Sequence, residues 1–173
     1  MISMAYFRQE GEAAAVRAPI ANRIIGQFLN DVDWGPLDYL LIDFPPGTGD
    51  IQLTLAQKAR FDGAIVVTTP QELVLLDVRK AMHLFDLLKI PVLGVVENMS
   101  YFVDSQGERQ YIFGKLGGAA LAEAENVPLL GQIPLEPEIC KCGDTGESLG
   151  ENSLAAQVFN EIVEKLVVKG AKV

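Results

Sequence analysis

Apolar and polar residues alternate in two different patterns along the chain of 173 residues. Short apolar runs, typical of strands buried in a parallel sheet, occupy residues 39–42, 64–68, 91–96 and 127–133. Longer segments with apolar positions at helical spacing occupy residues 19–30, 51–60, 71–88, 115–125 and 153–168. This alternation predicts an α/β fold, with a mostly parallel sheet covered by helices on both faces.

The remaining segments are connections or weak elements. Residues 2–7 alternate weakly, as in a strand, and residues 8–17 are polar and typical of a loop. Residues 99–114 form a polar loop with scattered aromatic side chains, and residues 136–142 predict a short turn or helix. No internal repeat, linker or low-complexity segment interrupts the pattern, so residues 1–173 are interpreted as a single domain.

Charge and composition exclude several classes of protein. The formal net charge is −9, which argues against a basic surface for nucleic acid. No apolar run reaches the roughly 20 residues of a membrane-spanning helix, and the N-terminus lacks the features of a signal peptide. The only two cysteines lie one residue apart, a spacing that disfavours a structural disulfide and fits a reducing compartment. We therefore expect no membrane partner and a cytoplasmic location.

The candidate chemistry starts with the loop that follows the first apolar run. Asp43 places a carboxylate at the end of a predicted strand, where open α/β sheets bind ligands. Pro45 and Pro46 end that strand because they cannot donate ladder hydrogen bonds, and Gly47 allows a ligand close to the main chain. Asp50 is a candidate cap of the next helix that also suits a position near a γ-phosphate. The pattern indicates a Mg²⁺ and phosphate site, and a capped strand with a tight turn is the alternative.

Three other predicted strands also end in polar or proline-containing segments, at residues 68–72, 97–99 and 134–136. Because the carboxyl ends of parallel strands meet at one edge of the sheet, we expect these segments to lie together. Asn98 offers an amide donor and acceptor that suit a purine edge. Its alternative role is to close a turn through its own backbone.

Cys140-Lys141-Cys142 is a Cys-x-Cys pair. Two thiolates are half of a tetrahedral metal or iron–sulfur site, and a dimer axis could supply the other half. The alternative is two incidental cysteines near a loop.

Two common nucleotide motifs are not present among the 173 residues. There is no Gly-x-x-x-x-Gly-Lys-Ser/Thr phosphate cradle and no Gly-x-Gly-x-x-Gly fingerprint. Without the cradle, most backbone N–H groups that neutralise a triphosphate are missing. We therefore expect no appreciable ATP hydrolysis from this chain on its own.

The segment Trp34–Gln57, with its Asp-Phe-Pro-Pro-Gly-Thr-Gly-Asp loop, resembles the signature of the Mrp/ApbC-type iron–sulfur carrier ATPases. These belong to the ParA/MinD-like class of deviant-Walker P-loop proteins. Further stretches match in the same order, at residues 69–72, 95–101, 112–114 and 131–137. The resemblance covers essentially the whole chain.

The resemblance implies a role for each candidate. Asp43 would be the carboxylate near Mg²⁺, and Pro45-Pro46-Gly47 would be the switch loop that senses the γ-phosphate. Asn98 and the segment from Pro134 to Glu136 would border the adenine of ATP. Members of the family are typically homodimers that bind a bridging iron–sulfur cluster and pass it to apoproteins, which are their clients.

Two departures from the family pattern affect these expectations. The chain begins where the second half of the family's nucleotide-binding domain begins, so we expect the P-loop upstream of Met1 and an incomplete P-loop NTPase-like fold. The family's usual Cys-x-x-Cys falls between Tyr101 and Ile112, and this chain has no cysteine there. Cys140 and Cys142 lie elsewhere in the sequence and do not inherit that role by position.

Three functions remain open. The first is an ATP-dependent iron–sulfur cluster carrier, which the signature favours. The second is a ParA/MinD-like regulatory or positioning ATPase without a cluster, which the loop without cysteines favours. The third is a non-catalytic interaction module, which the missing phosphate cradle favours.

Overall fold

The computed structural model describes residues 1–3, 6, 18–45 and 49–168. The chain divides into two compact units, Met1–Phe61 and Asp62–Val173. Both are built from elements that the sequence pattern largely predicted. The interpretation of residues 1–173 as one domain stays a prediction.

The described part of the first unit contains two helices, α1 (Ala18–Asn30) and α2 (Asp50–Lys58). They contact each other: Ala21 and Leu55 are buried, and Lys58 Nζ donates a hydrogen bond to the Asn22 carbonyl at 3.2 Å. Both helices were predicted from the spacing of their apolar residues. They are confirmed to within about two residues at each end, which is the usual uncertainty of helix boundaries.

The predicted strand at residues 39–42 is wrong. These residues form no regular element, and the side chains of Tyr39, Leu40 and Leu41 are exposed, Leu41 by 84%. A strand is stable only when its backbone groups pair with a neighbour. Within the described part of Met1–Phe61 no other strand is present to pair with it.

Two other predictions for the first unit fall mostly outside the described residues. The predicted strand at residues 2–7 includes Met4, Ala5 and Phe7, which are not described, and residues 1–3 and 6 are not in a strand. The predicted loop at residues 8–17 is not described at all.

The second unit contains five strands, β1 (Ala64–Thr68), β2 (Val92–Glu97), β3 (Phe102–Val103), β4 (Arg109–Gln110) and β5 (Leu129–Gln132). Its helices are α3 (Glu72–Leu87), α4 (Gly117–Ala124), α5 (Pro137–Thr145) and α6 (Leu154–Val168). Strands β1, β2 and β5 form a parallel sheet in the order β1-β2-β5. The predicted parallel α/β fold is therefore confirmed.

Helices cover both faces of this sheet. On one face, Val66 and Val95 pack with Leu75 of α3 and Leu121 of α4. On the other, buried residues of β2, of β5 and of the segment just after β5 pack against α6, namely Val96, Leu130, Ile133, Ala155 and Ile162. The side chains of successive strand residues point to opposite faces, so one apolar run supplies both cores. None of the helices in the described ranges is long and apolar enough to cross a bilayer.

The polar loop predicted at residues 99–114 contains a small hairpin, in which β3 and β4 pair antiparallel. Asp104 closes it: Oδ1 accepts the N–H groups of Gln106 and Glu108, each at 2.9 Å. Oδ2 accepts from Gln110 Nε2 at 2.9 Å. The Gln110 amide, followed by these N–H groups, holds the pKa of the Asp104 carboxyl below its usual value. The apolar pattern missed this hairpin because its stabilising contacts are polar and local.

Candidate functional site

The carboxyl ends of the three parallel strands meet at one edge of the sheet. Thr68 at the end of β1 lies opposite Glu97 of β2, and Glu97 lies opposite Gln132 of β5. The loop after β2 is tied to β1, because the Asn98 N–H donates to the Thr68 carbonyl at 2.7 Å. The expected meeting of strand ends is thus present in the second unit.

The chain segments beyond β2 and β5 continue side by side. The Ser100 N–H donates to the Ile133 carbonyl at 2.9 Å, and the Leu135 N–H donates to the Tyr101 carbonyl at 2.7 Å. Ser100, Tyr101 and Ile133 are buried, as is Pro134. Two of the predicted nucleotide residues, Asn98 and Pro134, therefore belong to one rigid backbone framework.

The side chain of Asn98 has a defined orientation. Its Oδ1 accepts the Met99 N–H at 2.9 Å, and because an N–H group must meet an acceptor, this bond fixes which end of the amide is the oxygen and which is the Nδ2 donor. Pro134 has a carbonyl and no N–H. A donor on one segment and a carbonyl acceptor on the next match the ring nitrogens and the N6 amino group of adenine. The alternative role of Asn98, a bond to its own backbone, is present as well and sets this orientation.

Gln71, three residues after β1, is a further polar residue at this edge. Its Oε1 atom is buried and has no hydrogen-bond partner among the described residues. A buried acceptor without a partner is costly, so such an atom often marks a place for a water or a ligand. Gln71 lies within the predicted strand-end segment at residues 68–72. Its position after a predicted strand was the only feature of the sequence that pointed to it as a candidate site residue.

Glu136 has a structural role that its position in the sequence did not reveal. Its Oε1 accepts the Leu154 N–H at 3.1 Å and its Oε2 accepts the Ala155 N–H at 3.3 Å, so the carboxylate caps the N-terminus of α6. It also lines a cleft of about 570 Å³ together with Glu138 and Glu151. Three carboxylates disfavour a phosphate in this cleft.

The candidates from the opening loop lie in the first unit. Asp43 is exposed, and Pro45 is half-buried with its carbonyl accepting from Gln52 Nε2 at 3.1 Å. Asp50 is exposed at the first position of α2, while the N-cap residue is Gly49, so the expected cap by Asp50 is wrong. Its charge still lies in the first helical turn, where a carboxylate is favourable. Pro46 and Gly47 fall outside the described residues.

Cys140 and Cys142 both lie on α5, with different surroundings. Cys140 is exposed and lies 3.8 Å from Asp144 Oδ2, whereas Cys142 is buried and its thiol lies 3.6 Å from the Ser148 carbonyl. Residues two apart on a helix do not share a face, so α5 does not aim both thiols at one point. In the ranges that the structure describes, no three His, Cys, Asp or Glu side chains form a cluster able to hold a metal ion.

Comparison with known proteins places the chain in a family. A family model described as "ParA: NUBPL iron-transfer P-loop NTPase" matches residues 1–167. A protein of Pyrococcus horikoshii named iron–sulfur cluster carrier protein is 44% identical over 98% of this chain and 58% of its own length. A Synechocystis protein of the same name is 48% identical over 98% of this chain and 49% of its own length. The chain thus spans about half the length of these relatives.

Solved structures agree with the observed fold. A nucleotide-binding protein from Archaeoglobus fulgidus in complex with ADP superposes with a TM-score of 0.67 at 44% identity, covering 73% of this chain and 53% of that one. The septum site-determining protein MinD of Pyrococcus horikoshii superposes with a TM-score of 0.63 at 24% identity, covering 91% of this chain and 60% of that one, and it supports the fold alone. From its strand-end geometry and these matches, the chain belongs to the ParA family of NUBPL-type iron-transfer P-loop NTPases.

Proposed function

We propose that this chain is part of a nucleotide-dependent iron–sulfur carrier, which binds a cluster as cargo and passes it to apoproteins. The observation that carries the proposal is the similarity to proteins named iron–sulfur cluster carriers over nearly the whole chain. The carboxyl edge of the sheet supports the nucleotide part of the proposal, and the cysteines of α5 support the cargo part.

The adenine of ATP is proposed to lie at the edge formed by Asn98 and Pro134. The Nδ2 group of Asn98 donates to a ring nitrogen and the Pro134 carbonyl accepts the N6 amino group, while Glu136 borders the base. This assignment is supported by the orientation of the Asn98 amide and by the hydrogen bonds that hold the two segments together.

For the phosphate end we propose Asp43 as the ligand of Mg²⁺, the switch segment Pro45-Pro46-Gly47 as the sensor of the γ-phosphate, and Asp50 as a catalytic residue. Mg²⁺ is commonly held by one or two carboxylates together with phosphate oxygens and waters, so an exposed carboxylate such as Asp43 fits its chemistry. When bound, the ion would neutralise phosphate charge.

The cargo is proposed to bind through thiols. Cys140 is exposed and can be reached by a cluster without any change in α5, whereas Cys142 must first leave its buried position. Iron–sulfur clusters are commonly held by four thiolates, so a homodimer that shares a bridging cluster would use Cys140 and Cys142 of both copies. Apo iron–sulfur proteins are the proposed clients, in the cytoplasm.

Anaerobic reconstitution of the purified chain with ferrous iron and sulfide tests the proposal. The expected result is a visible iron–sulfur absorption band that Cys140→Ser removes. When an apo iron–sulfur enzyme is then added, the band of the carrier should be lost and the enzyme should gain activity. Cys142→Ser should remove the band as well, because four thiolates in a dimer require both cysteines of each copy. Absence of the band in the unmodified chain would contradict cluster carriage.

A regulatory ATPase without a cluster is the second candidate function. It is favoured by the hairpin at residues 102–110, which contains no cysteine and is held closed by Asp104 instead. ADP binding together with a failed reconstitution would favour this candidate. Steady-state ATP hydrolysis that is abolished in Asp43→Ala would show that the chain turns over ATP. Absence of nucleotide binding would favour the third function, a non-catalytic interaction module.

A further inference from the structure

Glu97, the last residue of β2, is completely buried, which is rare for a glutamate. Three donors surround its carboxylate. Oε1 accepts from Ser100 Oγ at 2.5 Å and from Gln132 Nε2 at 2.8 Å, and Oε2 accepts the Gly118 N–H at 2.5 Å. All three partners donate, which matches a carboxylate that acts only as an acceptor. With its oxygens occupied in this way, Glu97 is suited to hold other groups in place.

The three partners come from three separate elements. Ser100 lies in the loop after β2, Gln132 ends β5, and Gly118 lies in the first turn of α4. Glycine at position 118 is necessary for this approach, because a Cβ there would lie 2.8 Å from the Glu97 Cβ and 2.9 Å from its Oε2. One side chain therefore joins a helix N-terminus, a loop and a neighbouring strand at the carboxyl edge of the sheet.

The loop that Glu97 holds has an unfavourable backbone conformation. Met99 has a φ of +52°, in the left-handed region that non-glycine residues rarely adopt. The residues on both sides are fixed, since the Asn98 N–H bonds to Thr68 and Ser100 bonds through its N–H to Ile133 and through its hydroxyl to Glu97. Such a conformation persists only where the surroundings determine it, and such sites concentrate where ligands bind.

We propose that Glu97 is a positioning residue for purine recognition. It acts through Ser100 and Gln132 to hold the turn that carries Asn98 in place beside the segment that carries Pro134, so that the amide donor and the carbonyl acceptor keep a constant position relative to each other. This inference rests on the proposed nucleotide function and adds to it a residue that does not touch the nucleotide.

Two variants test the positioning role. Glu97→Asp shortens the side chain by one methylene, so that it cannot reach Gly118 and Ser100 together. Glu97→Gln keeps the length, and its amide can pair with the same neighbours because the Ser100 hydroxyl and the Gln132 amide can each turn to accept. The preference for ADP is the GDP dissociation constant divided by the ADP dissociation constant, both measured by calorimetry. We expect this ratio to fall about tenfold, towards one, in Glu97→Asp and by less than about threefold in Glu97→Gln.

Ser100→Ala and Ile162→Val complete the design. Ser100→Ala removes one of the three donors without shortening Glu97, so it remains informative if Glu97→Asp does not fold, and we expect an intermediate fall in the ADP preference. Ile162→Val weakens the core on the opposite face of the sheet and should lower thermal stability while leaving the ADP preference unchanged.

Amide hydrogen exchange gives a readout that does not depend on nucleotide. Exchange at the Ser100 N–H, which bonds to Ile133, should accelerate about tenfold in Glu97→Asp, while the Val95 N–H, in the middle of β2, should be unaffected. A merely structural role would instead change both amides, and would lower the affinities for ADP and GDP equally.

The outcomes separate this inference from the function on which it rests. If the unmodified chain binds ADP no better than GDP, the proposed adenine site fails and the inference fails with it. If the unmodified chain prefers ADP and both Glu97→Asp and Ser100→Ala keep that preference in full, the positioning role alone is overturned.

Discussion

The hydroxyl of Ser153 donates a hydrogen bond to the Glu136 carboxylate across 2.7 Å, joining the last residues of the loops that precede α5 and α6. Ser153 is at the same time the N-cap of α6, where its Oγ accepts the Ala156 N–H at 3.2 Å. Glu136 accepts the N–H groups of Leu154 and Ala155. The N–H groups in the first turn of α6 therefore have two acceptors, the Ser153 hydroxyl, which is local in sequence, and the Glu136 carboxylate, which is remote.

Replacement of Glu136 by alanine should destabilise the chain by about 1–2 kcal/mol, because it removes a remote cap and leaves helix N–H groups without their acceptor. The free energy of unfolding in a denaturant titration measures the effect. Glu151→Ala is the control: it removes an exposed carboxylate from the same cleft and should stay within about 0.5 kcal/mol of the unmodified chain. Equal losses in the two variants would show that the cap contributes nothing.

Two helical glycines should respond in opposite directions to alanine. A Cβ on Gly117 would lie 2.2 Å from the Pro70 carbonyl oxygen, a backbone atom that cannot move aside cheaply, so Gly117→Ala should cost about 1–3 kcal/mol or more. A Cβ on Gly143, inside α5, would meet nothing within 4 Å, so Gly143→Ala should stabilise by about 0.5–1 kcal/mol. Midpoints of thermal unfolding measure both, and destabilisation by both would contradict the open surroundings of Gly143.

The hairpin at residues 102–110 should loosen in acid. Hydrogen bonds from Gln110, Glu108 and Gln106 lower the pKa of Asp104 below the 3.8 of an unperturbed carboxyl. A lowered folded-state pKa means that this stabilisation is complete above pH 3.8 and is lost as the pH falls through the folded value, which lies below that. Amide NMR signals of residues 106 and 108 should report this transition.

Asp104→Asn should remove the acid transition of those amides, because the side chain no longer titrates. Asp77→Asn is the matched control, since Asp77 is an exposed aspartate of α3 whose partner is Lys80, remote in sequence from the hairpin. It should leave the titration of the hairpin unchanged. A transition that survives in Asp104→Asn would assign it to another group.

The two thiols should differ in reactivity towards a soluble alkylating reagent. Cys140 is exposed and should react directly, whereas Cys142 is buried and should react only when α5 opens. Mass spectrometry of the native chain should show one modification, and the unfolded chain should show two. Rapid double labelling of the native chain would mean that α5 opens readily and that both thiols are available to a cluster.

The spacing of apolar residues predicted correctly those strands and helices that are stabilised by local contacts or by one buried apolar face. The bounds of β1 agree with the predicted run, and the predicted helices at residues 71–88 and 153–168 agree with α3 and α6 to within one residue at each end. The run at residues 39–42 looked the same in sequence and is not a strand. Apolar character permits a strand, but hydrogen bonds to a neighbour are needed to form one.

Sequence alone determined the alternation of strands and helices, the parallel sheet and the meeting of strand ends, because these depend on residue spacing and on rules of chain connection. Only the tertiary structure decided which partners the polar residues at those ends have. Glu97 and Glu136 accept hydrogen bonds from helix N-termini that lie 21 and 18 residues away, whereas the Asn98 Oδ1 accepts the N–H of the next residue. The physical reason is that a buried or half-buried carboxylate must find donors, and the nearest donors in space are distant in sequence.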